Sequence, residues 1–97
     1  MKMLFVFNPN SGKAQIKNQL MKIIQVFSKA GYEITVYPTK ASLDGYQHIL
    51  DSEGSYDVIT CSGGDGTLNE TVAAVLKYKG EKPPIGYIPS GTTNDFA

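Results

Sequence analysis

The chain has little cysteine, no excess of either charge and no long apolar run. A single cysteine, Cys61, excludes a disulfide framework and favours a reducing compartment. Nine basic and nine acidic side chains cancel, so nothing marks a nucleic-acid partner or a strongly anionic surface. The apolar run at residues 3–7 is too short for a signal-peptide core or a membrane span. We therefore expect a cytoplasmic protein whose anion sites, if any, are local.

Apolar runs bounded by turn residues predict four strands within one small domain. They lie at residues 3–7, 33–37, 56–61 and 85–88. The first is apolar throughout, as expected in a parallel sheet that is covered on both faces. The second alternates polar and apolar residues, which indicates a position nearer the edge of the sheet.

Helical periodicity between these strands predicts three helices. The first carries apolar residues at helical spacing between residues 16 and 27 and ends at Gly31, which suits a left-handed cap. The third covers residues 67–78. The alternation of strands with helices is typical of right-handed crossovers in a parallel sheet.

The second helix is predicted to be short, with Ser42 or Asp44 as its N-cap. It carries Tyr46, Ile49 and Leu50 and stops near Gly54. It carries the only histidine of the chain, His48. Because no second histidine or cysteine stands three or four residues away, we interpret this histidine as a packing or surface residue.

These elements predict an α/β fold in three layers, built on an open parallel sheet with strand order 2-1-3-4. In such a fold every turn from a strand to a helix lies on one edge of the sheet, and ligands bind there, where the strand order reverses. The turns at residues 8–12, 39–40, 63–67 and 90–95 are polar or rich in glycine. We expect them to converge on one crevice.

The turn at residues 63–70 reads Gly-Gly-Asp-Gly-Thr-Leu-Asn-Glu and joins a predicted buried strand to a predicted helix. Glycines in such a turn let backbone N–H groups approach an anion closely, and the following helix adds partial positive charge. The spacing matches neither the common P-loop nor the common dinucleotide loop. The turn therefore predicts a phosphate site of another type.

A turn without a ligand is the alternative reading of the same residues. Thr67 and Glu70 could form a capping box, in which each side chain bonds the backbone N–H of the other. Capping gives no reason for Asp65 between two glycines or for Gly63 before Gly64.

Three motifs in order resemble the diacylglycerol kinase catalytic domain family. They are Asn-Pro-Asn-Ser-Gly-Lys at residues 8–13, the glycine turn at residues 63–70, and Pro-Ser-Gly-Thr-Thr-Asn-Asp-Phe-Ala at residues 89–97. Soluble bacterial lipid kinases are the nearest look-alikes. NAD kinases and phosphofructokinases share the Gly-Gly-Asp-Gly run, and the resemblance implies their Rossmann-like sheet.

The resemblance implies that ATP and Mg²⁺ are used to phosphorylate a lipid hydroxyl, of diacylglycerol or a related lipid, by an enzyme that can meet the inner membrane surface peripherally. When the family's nucleotide site is carried over by position, it takes residues from the first motif, from the turn after the second strand, and from the glycine turn. One threonine of the third motif also belongs to it. Its residues are Asn8, Pro9, Asn10, Ser11, Gly12, Thr39, Gly63, Gly64, Asp65, Gly66, Thr67, Leu68, Asn69, Glu70 and Thr92.

Asp65 is the expected catalytic carboxylate. Like charges repel, so it is expected to face the Mg²⁺ of the nucleotide through water rather than phosphate itself. Asp95 is a second carboxylate on the same edge, but Asn-Asp at a turn more often bonds its own backbone. Lys13 and Lys40 are interpreted as solvated surface residues. No residue is a convincing general base.

The family's enzymes are longer, with a second, β-rich domain that completes the cleft. We therefore expect residues 1–97 to be the ATP-binding N-terminal part of such a kinase, without turnover alone. Two alternatives stay open: another kinase with this glycine turn, such as an NAD kinase, and a nucleotide-binding fragment. Sphingosine and ceramide kinases are closer relatives, but the Asn94-Asp95-Phe96 ending favours diacylglycerol.

Overall fold

The computed structural model of the protein describes residues 1–9 and 15–89, and in this part strands and helices alternate. The strands are β1 (Lys2–Phe7), β2 (Glu33–Pro38), β3 (Val58–Gly63) and β4 (Ile85–Pro89). The helices are α1 (Gln15–Lys29), α2 (Asp44–Asp51) and α3 (Asp65–Leu76). All strand pairs are parallel. The predicted α/β class is confirmed.

The four strands form one sheet in the order β2-β1-β3-β4, which confirms the predicted order 2-1-3-4. The strand order reverses between β1 and β3, where Phe7 pairs with Ser62 at the carboxyl ends. Phe7 also pairs with Pro38, and Gly63 with Pro89, so the four strands end along one edge. That edge carries the turns into α2 and α3.

One face of the sheet packs against α2 and α3. Its buried cluster takes residues from β1, β3 and both helices, and at its centre Leu4, Ile49 and Ile59 are completely buried. The Tyr78 hydroxyl donates to the Ile49 carbonyl at 2.6 Å, which ties the end of α3 to α2. Cys61 lies in this cluster, and burial raises the pKa of its thiol. These contacts fix α3 above β3.

The opposite face packs against α1. Leu20 and Ile23 of this helix cover Phe5 and Phe7, and the outer strands add further apolar side chains. Gly31 follows α1 with φ of +98°, as expected for a left-handed cap. No helix in the described part is long and apolar enough to cross a membrane.

Two predicted boundaries around the glycine turn are wrong. β3 runs from Val58 to Gly63 rather than over residues 56–61. At its start the Asp57 carboxylate accepts the Lys2 N–H at 2.7 Å, and the pairing with β1 begins at Val58, two residues later than predicted. At its end the ladder continues through Ser62 and Gly63. The turn between strand and helix is therefore Gly64 alone.

The third helix covers Asp65–Leu76 rather than residues 67–78. The Gly64 carbonyl accepts both the Thr67 N–H, at 3.1 Å, and the Leu68 N–H, at 3.3 Å, so the helix starts two residues early. Its last turn tightens where Tyr78 N–H bonds the Val75 carbonyl, three residues back.

The predicted N-cap of α2 is also wrong, and so is the capping box of the alternative reading at α3. The N-cap of α2 is Leu43 and that of α3 is Gly64, and neither makes a side-chain capping bond. Thr67 is the third residue of α3, so it cannot cap that helix. The carboxylates of Asp44 and Glu70 bond the chain around residues 40–43 instead. His48 stacks on Tyr37 with ring centres 3.7 Å apart, which confirms its packing role.

Candidate functional site

The carboxyl edge of the sheet holds a cavity of about 270 Å³. Its lining comes from the end of β1, the loop after β2, and the first turns of α3, and it consists of Asn8, Thr39, Lys40, Ala41, Ser42, Gly66, Thr67 and Glu70. Five of these residues belong to the site predicted from the sequence. The structure therefore brings three of the predicted turns together, as the strand order requires.

Backbone bonds hold two of these turns to neighbouring strands. The Asn8 N–H donates to the Ser62 carbonyl at 3.2 Å. The Thr39 N–H donates to the Phe7 carbonyl at 2.9 Å. Both bonds prolong the parallel ladder beyond the strands, so the start of each turn has a fixed position beside its neighbour.

Gly63 closes β3 against the side chain of Thr67. A Cβ added at Gly63 would lie 2.5 Å from Thr67 Oγ1 and 2.9 Å from Thr67 Cβ. No side chain fits in that space, so glycine is required for α3 to start this close to the strand. The contact also holds the Thr67 hydroxyl beside the strand end, where the residue lines the cavity.

Gly66 has no comparable packing reason. It is the second residue of α3, it is exposed, and a Cβ added there would meet no atom within 4 Å. In a helix, glycine is about 1 kcal/mol less favourable than alanine. Gly66 lines the cavity, so its missing side chain leaves the backbone of the first helical turn open to a ligand.

The first turn of α3 suits an anion. The leading N–H groups of a helix have no partner within that helix, and its amino end carries a partial positive charge. Gly66, the second residue of α3, lines the cavity and supplies one such N–H group there. A phosphate placed there would meet backbone donors without a side chain in the way.

Asp65 is exposed at the start of α3 and is not among the residues that line the cavity. It lies near Tyr87, whose pKa is raised first by burial and then by the negative charge of Asp65. The Tyr87 hydroxyl donates to the Gly63 carbonyl at 2.9 Å. Within residues 1–9 and 15–89, no three histidine, cysteine or acidic side chains come together to hold a metal ion.

The other residues of the predicted turn divide by role. Gly64 is the exposed N-cap of α3, and Asn69 is exposed one turn along the helix. Leu68 packs against the core. Pro9 is half-buried beside Asn8. Residues 10–14 lie outside the described residues, and they include Asn10, Ser11, Gly12 and Lys13 of the first motif. Residues 90–97 also lie outside them, and they include Thr92 and Asp95.

The loop after β2 contains contacts that sequence reasoning missed. Asp44 accepts the Lys40 N–H and the Tyr37 hydroxyl, both at 2.8 Å. These bonds, the backbone one first, lower the pKa of the Asp44 carboxyl, and the same carboxylate raises the pKa of Tyr37. Lys40 also lines the cavity, whereas only a solvated surface position was predicted for it. An aspartate near a helix start was the only signal available for this loop.

A second cavity, of about 400 Å³, lies at the opposite edge of the sheet. Residues 53–57 and 80–84 supply most of its lining, and none of them belongs to the predicted site. Two of its carboxylates bond the backbone, since Glu53 accepts the Gly80 N–H at 2.8 Å and Asp57 accepts the Lys2 N–H. The smaller cavity, which has the glycine turn, is therefore the better candidate site.

The chain is similar over nearly its whole length to proteins named diacylglycerol kinase. The model of the diacylglycerol kinase catalytic domain family matches residues 2–97. The diacylglycerol kinase of Staphylococcus aureus (strain bovine RF122 / ET3-1) is 41% identical over 95 residues, or 94% of this chain and 29% of that protein. The diacylglycerol kinase of Bacillus subtilis (strain 168) is 38% identical over 93 residues, or 95% of this chain and 30% of that protein.

The fold of the chain is also similar to that of a solved diacylglycerol kinase. A crystal structure of a diacylglycerol kinase from Bacillus anthracis str. Sterne superposes with a TM-score of 0.81 at 29% identity, over 98% of this chain and 35% of the solved chain. The present chain thus spans about 30% of the length of the curated relatives that it matches. On these matches, the chain belongs to the diacylglycerol kinase catalytic domain family.

Proposed function

We propose that the cavity at the carboxyl edge binds the phosphate groups of ATP, as the nucleotide site of a kinase that phosphorylates a lipid hydroxyl. The observation that carries the proposal is Gly66. Nothing in the fold requires glycine at this position, yet it stands in the first turn of α3 and lines the cavity. An absent side chain at a helix start, beside open space, fits the close approach of a phosphate.

The residues around the cavity have distinct tasks in this proposal. The N–H groups at the start of α3 and the Thr67 hydroxyl bind phosphate oxygens. Asn8 and Thr39 lie on the other side of the nucleotide. Phosphoryl transfer depends on positioning and on charge neutralisation more than on covalent chemistry, so donors of this kind suffice on the protein side. The predicted contacts of residues 10–12 and Thr92 belong to the same site.

Asp65 fits a magnesium ion through water. It is exposed at the edge of the site, and a carboxylate at this place would repel a bare phosphate but attract a hydrated cation. When bound, the ion would neutralise charge on the phosphate oxygens. A lone carboxylate is a partial ligand set, so the other ligands must come from the nucleotide, from water or from elsewhere in the enzyme.

The lipid substrate follows from the family rather than from the cavity. The relatives carry the name diacylglycerol kinase, which favours diacylglycerol or a related lipid over the NAD of the alternative reading. Because the chain spans about 30% of those relatives, we propose that it supplies the nucleotide site of a larger enzyme. In this proposal the enzyme is cytoplasmic, meets its lipid at the inner membrane surface, and finds its general base outside residues 1–97.

The test is phosphate transfer from labelled ATP to diacylglycerol in detergent micelles, by an enzyme that contains this domain. We expect Asp65→Asn to lower kcat by about 10²-fold or more, the usual cost of removing one charge-stabilising group. Asp57→Asn is the matched control, since Asp57 lies at the far edge of the sheet and bonds only the backbone. Near-normal turnover of the Asp65 variant would refute its metal role, and no lipid phosphate from the wild type would refute the proposed activity.

A further inference from the structure

The loop of residues 39–43, which we call the β2–α2 loop, supplies half of the cavity lining. Its residues Thr39, Lys40, Ala41 and Ser42 all line the cavity. From Lys40 to Leu43 the loop is exposed, and Leu43 is 62% exposed. No apolar packing therefore fixes its middle, and its shape depends on polar contacts.

One end of the loop is held by Asp44. One carboxylate oxygen accepts the Lys40 N–H, and the other accepts the Tyr37 hydroxyl. The Asp44 N–H also donates to the Ala41 carbonyl at 3.2 Å. A carboxylate that accepts two such bonds makes shorter and stronger contacts than a neutral acceptor. Asp44, at the start of α2, is thus bonded both to Tyr37 in β2 and to Lys40 in the loop.

The other end is held by Glu70. Its Oε2 accepts the Leu43 N–H at 3.2 Å, although Glu70 belongs to α3. Leu43 has φ of +68°, an unfavourable conformation for a bulky residue that persists only when its surroundings impose it. Here the bond to Glu70 holds the Leu43 N–H, and the Gln47 N–H donates to the Leu43 carbonyl at 3.0 Å.

Gly45 lets these parts meet. It is buried, and a Cβ added there would lie 3.1 Å from Thr39 Cγ2 and 3.6 Å from Glu70 Oε1. The first turn of α2 therefore packs directly against the threonine that lines the cavity and against the carboxylate that holds Leu43. The two carboxylates and this glycine act on one short loop from three directions.

We propose that Asp44 is a positioning residue for the nucleotide. Together with Glu70 it holds the β2–α2 loop in the shape that lines the cavity, before any ligand binds. This inference rests on the proposed function, since it assumes that ATP occupies the cavity. A loop that is ordered before binding gives tighter binding, because the free energy of binding is not reduced by the entropy cost of ordering the loop.

The test compares ATP binding, by titration calorimetry in the presence of Mg²⁺, with amide hydrogen exchange of residues 40–43 in the free protein. We expect Asp44→Ala to weaken ATP binding about tenfold, the lower end for a residue that orients a binding group. We also expect faster exchange at Lys40 and, in an enzyme that contains this domain, a higher KM for ATP with little change in kcat. Asp44→Asn, which keeps one acceptor oxygen, should restore part of the affinity.

Two controls separate positioning from general damage. Asp57→Ala removes a carboxylate that accepts a backbone N–H at the far edge of the sheet. Tyr78→Phe removes a buried hydrogen bond between two residues that do not line the cavity. Both should leave ATP affinity unchanged. If Asp44→Ala does not fold, Asp44→Asn and Tyr37→Phe decide, since each removes only part of the contact.

The outcomes are distinct. Weaker ATP binding and faster loop exchange in the Asp44 variants alone would support the inference. Wild-type affinity in these variants, with ATP still bound, would overturn it and leave the proposed function intact. Failure of the wild-type protein to bind ATP would overturn the proposed function, and this inference with it.

Discussion

Gly66→Ala should make the protein more stable and should lower the affinity of its candidate site for ATP. The residue is exposed in the first turn of α3, its φ is not positive, and an added Cβ meets no atom within 4 Å. Alanine is favoured over glycine in a helix by about 1 kcal/mol, partly because the unfolded chain has less freedom to lose. Near a helix end the gain is smaller, so we expect about 0.5–1 kcal/mol.

Thermal and urea unfolding followed by circular dichroism measure this gain, and a domain of this size would melt about 2–8 °C higher. The new methyl group would stand among the residues that line the cavity, where a phosphate would approach the backbone. We therefore expect ATP affinity to fall at least tenfold, which titration calorimetry measures. Lower stability would refute the geometry at Gly66, and unchanged affinity would refute the role of the glycine in ligand binding.

Three further predictions follow from the same contacts. Gly63→Ala should destabilise the protein by about 1–3 kcal/mol, because the methyl group would overlap Thr67. Adding Thr67→Ala to the same chain should recover part of this loss, which a double-mutant cycle of urea unfolding would measure. Thr67→Ala alone should change stability by less than about 0.5 kcal/mol, since Thr67 is not a helix cap, but should weaken ATP binding, whereas Thr67→Ser should not. The pKa of Asp44 lies below its ordinary value of 3.8, so its bonds to Lys40 and Tyr37 contribute stability above pH 3.8 that is lost as the pH falls through the lower folded pKa. The unfolding midpoint of the Asp44→Asn variant, plotted against pH, should not show this loss in acid. An equal loss in the variant and in the wild-type protein would contradict the assignment.

The strand order and the shared edge could be predicted because they depend on local patterns. The apolar run of β1 and the alternation in β2 identify a central and an edge strand, and glycine or proline punctuates each element. Crossover handedness then leaves few topologies. The convergence of Asn8, Thr39 and Thr67 on one cavity follows directly from that topology.

The exact ends of the elements and the polar contacts could not be predicted in the same way. Gly63 pairs in the sheet with Pro89, and that partner is distant in sequence. Thr67 and Glu70 have the spacing of a capping box, but Gly64 starts the helix earlier, and Glu70 bonds Leu43 instead. Such contacts join residues 27 positions apart, so no local pattern indicates them.

The central claim is that ATP binds at the carboxyl edge of the sheet, and amide chemical-shift mapping with ATP and Mg²⁺ tests it most directly. We predict shifts at residues 39–43 and 64–70, which meet at the candidate cavity. Residues 53–57 and 80–84 at the opposite edge should stay unchanged. Absence of shifts, or shifts confined to the opposite edge, would contradict the assignment of the nucleotide site.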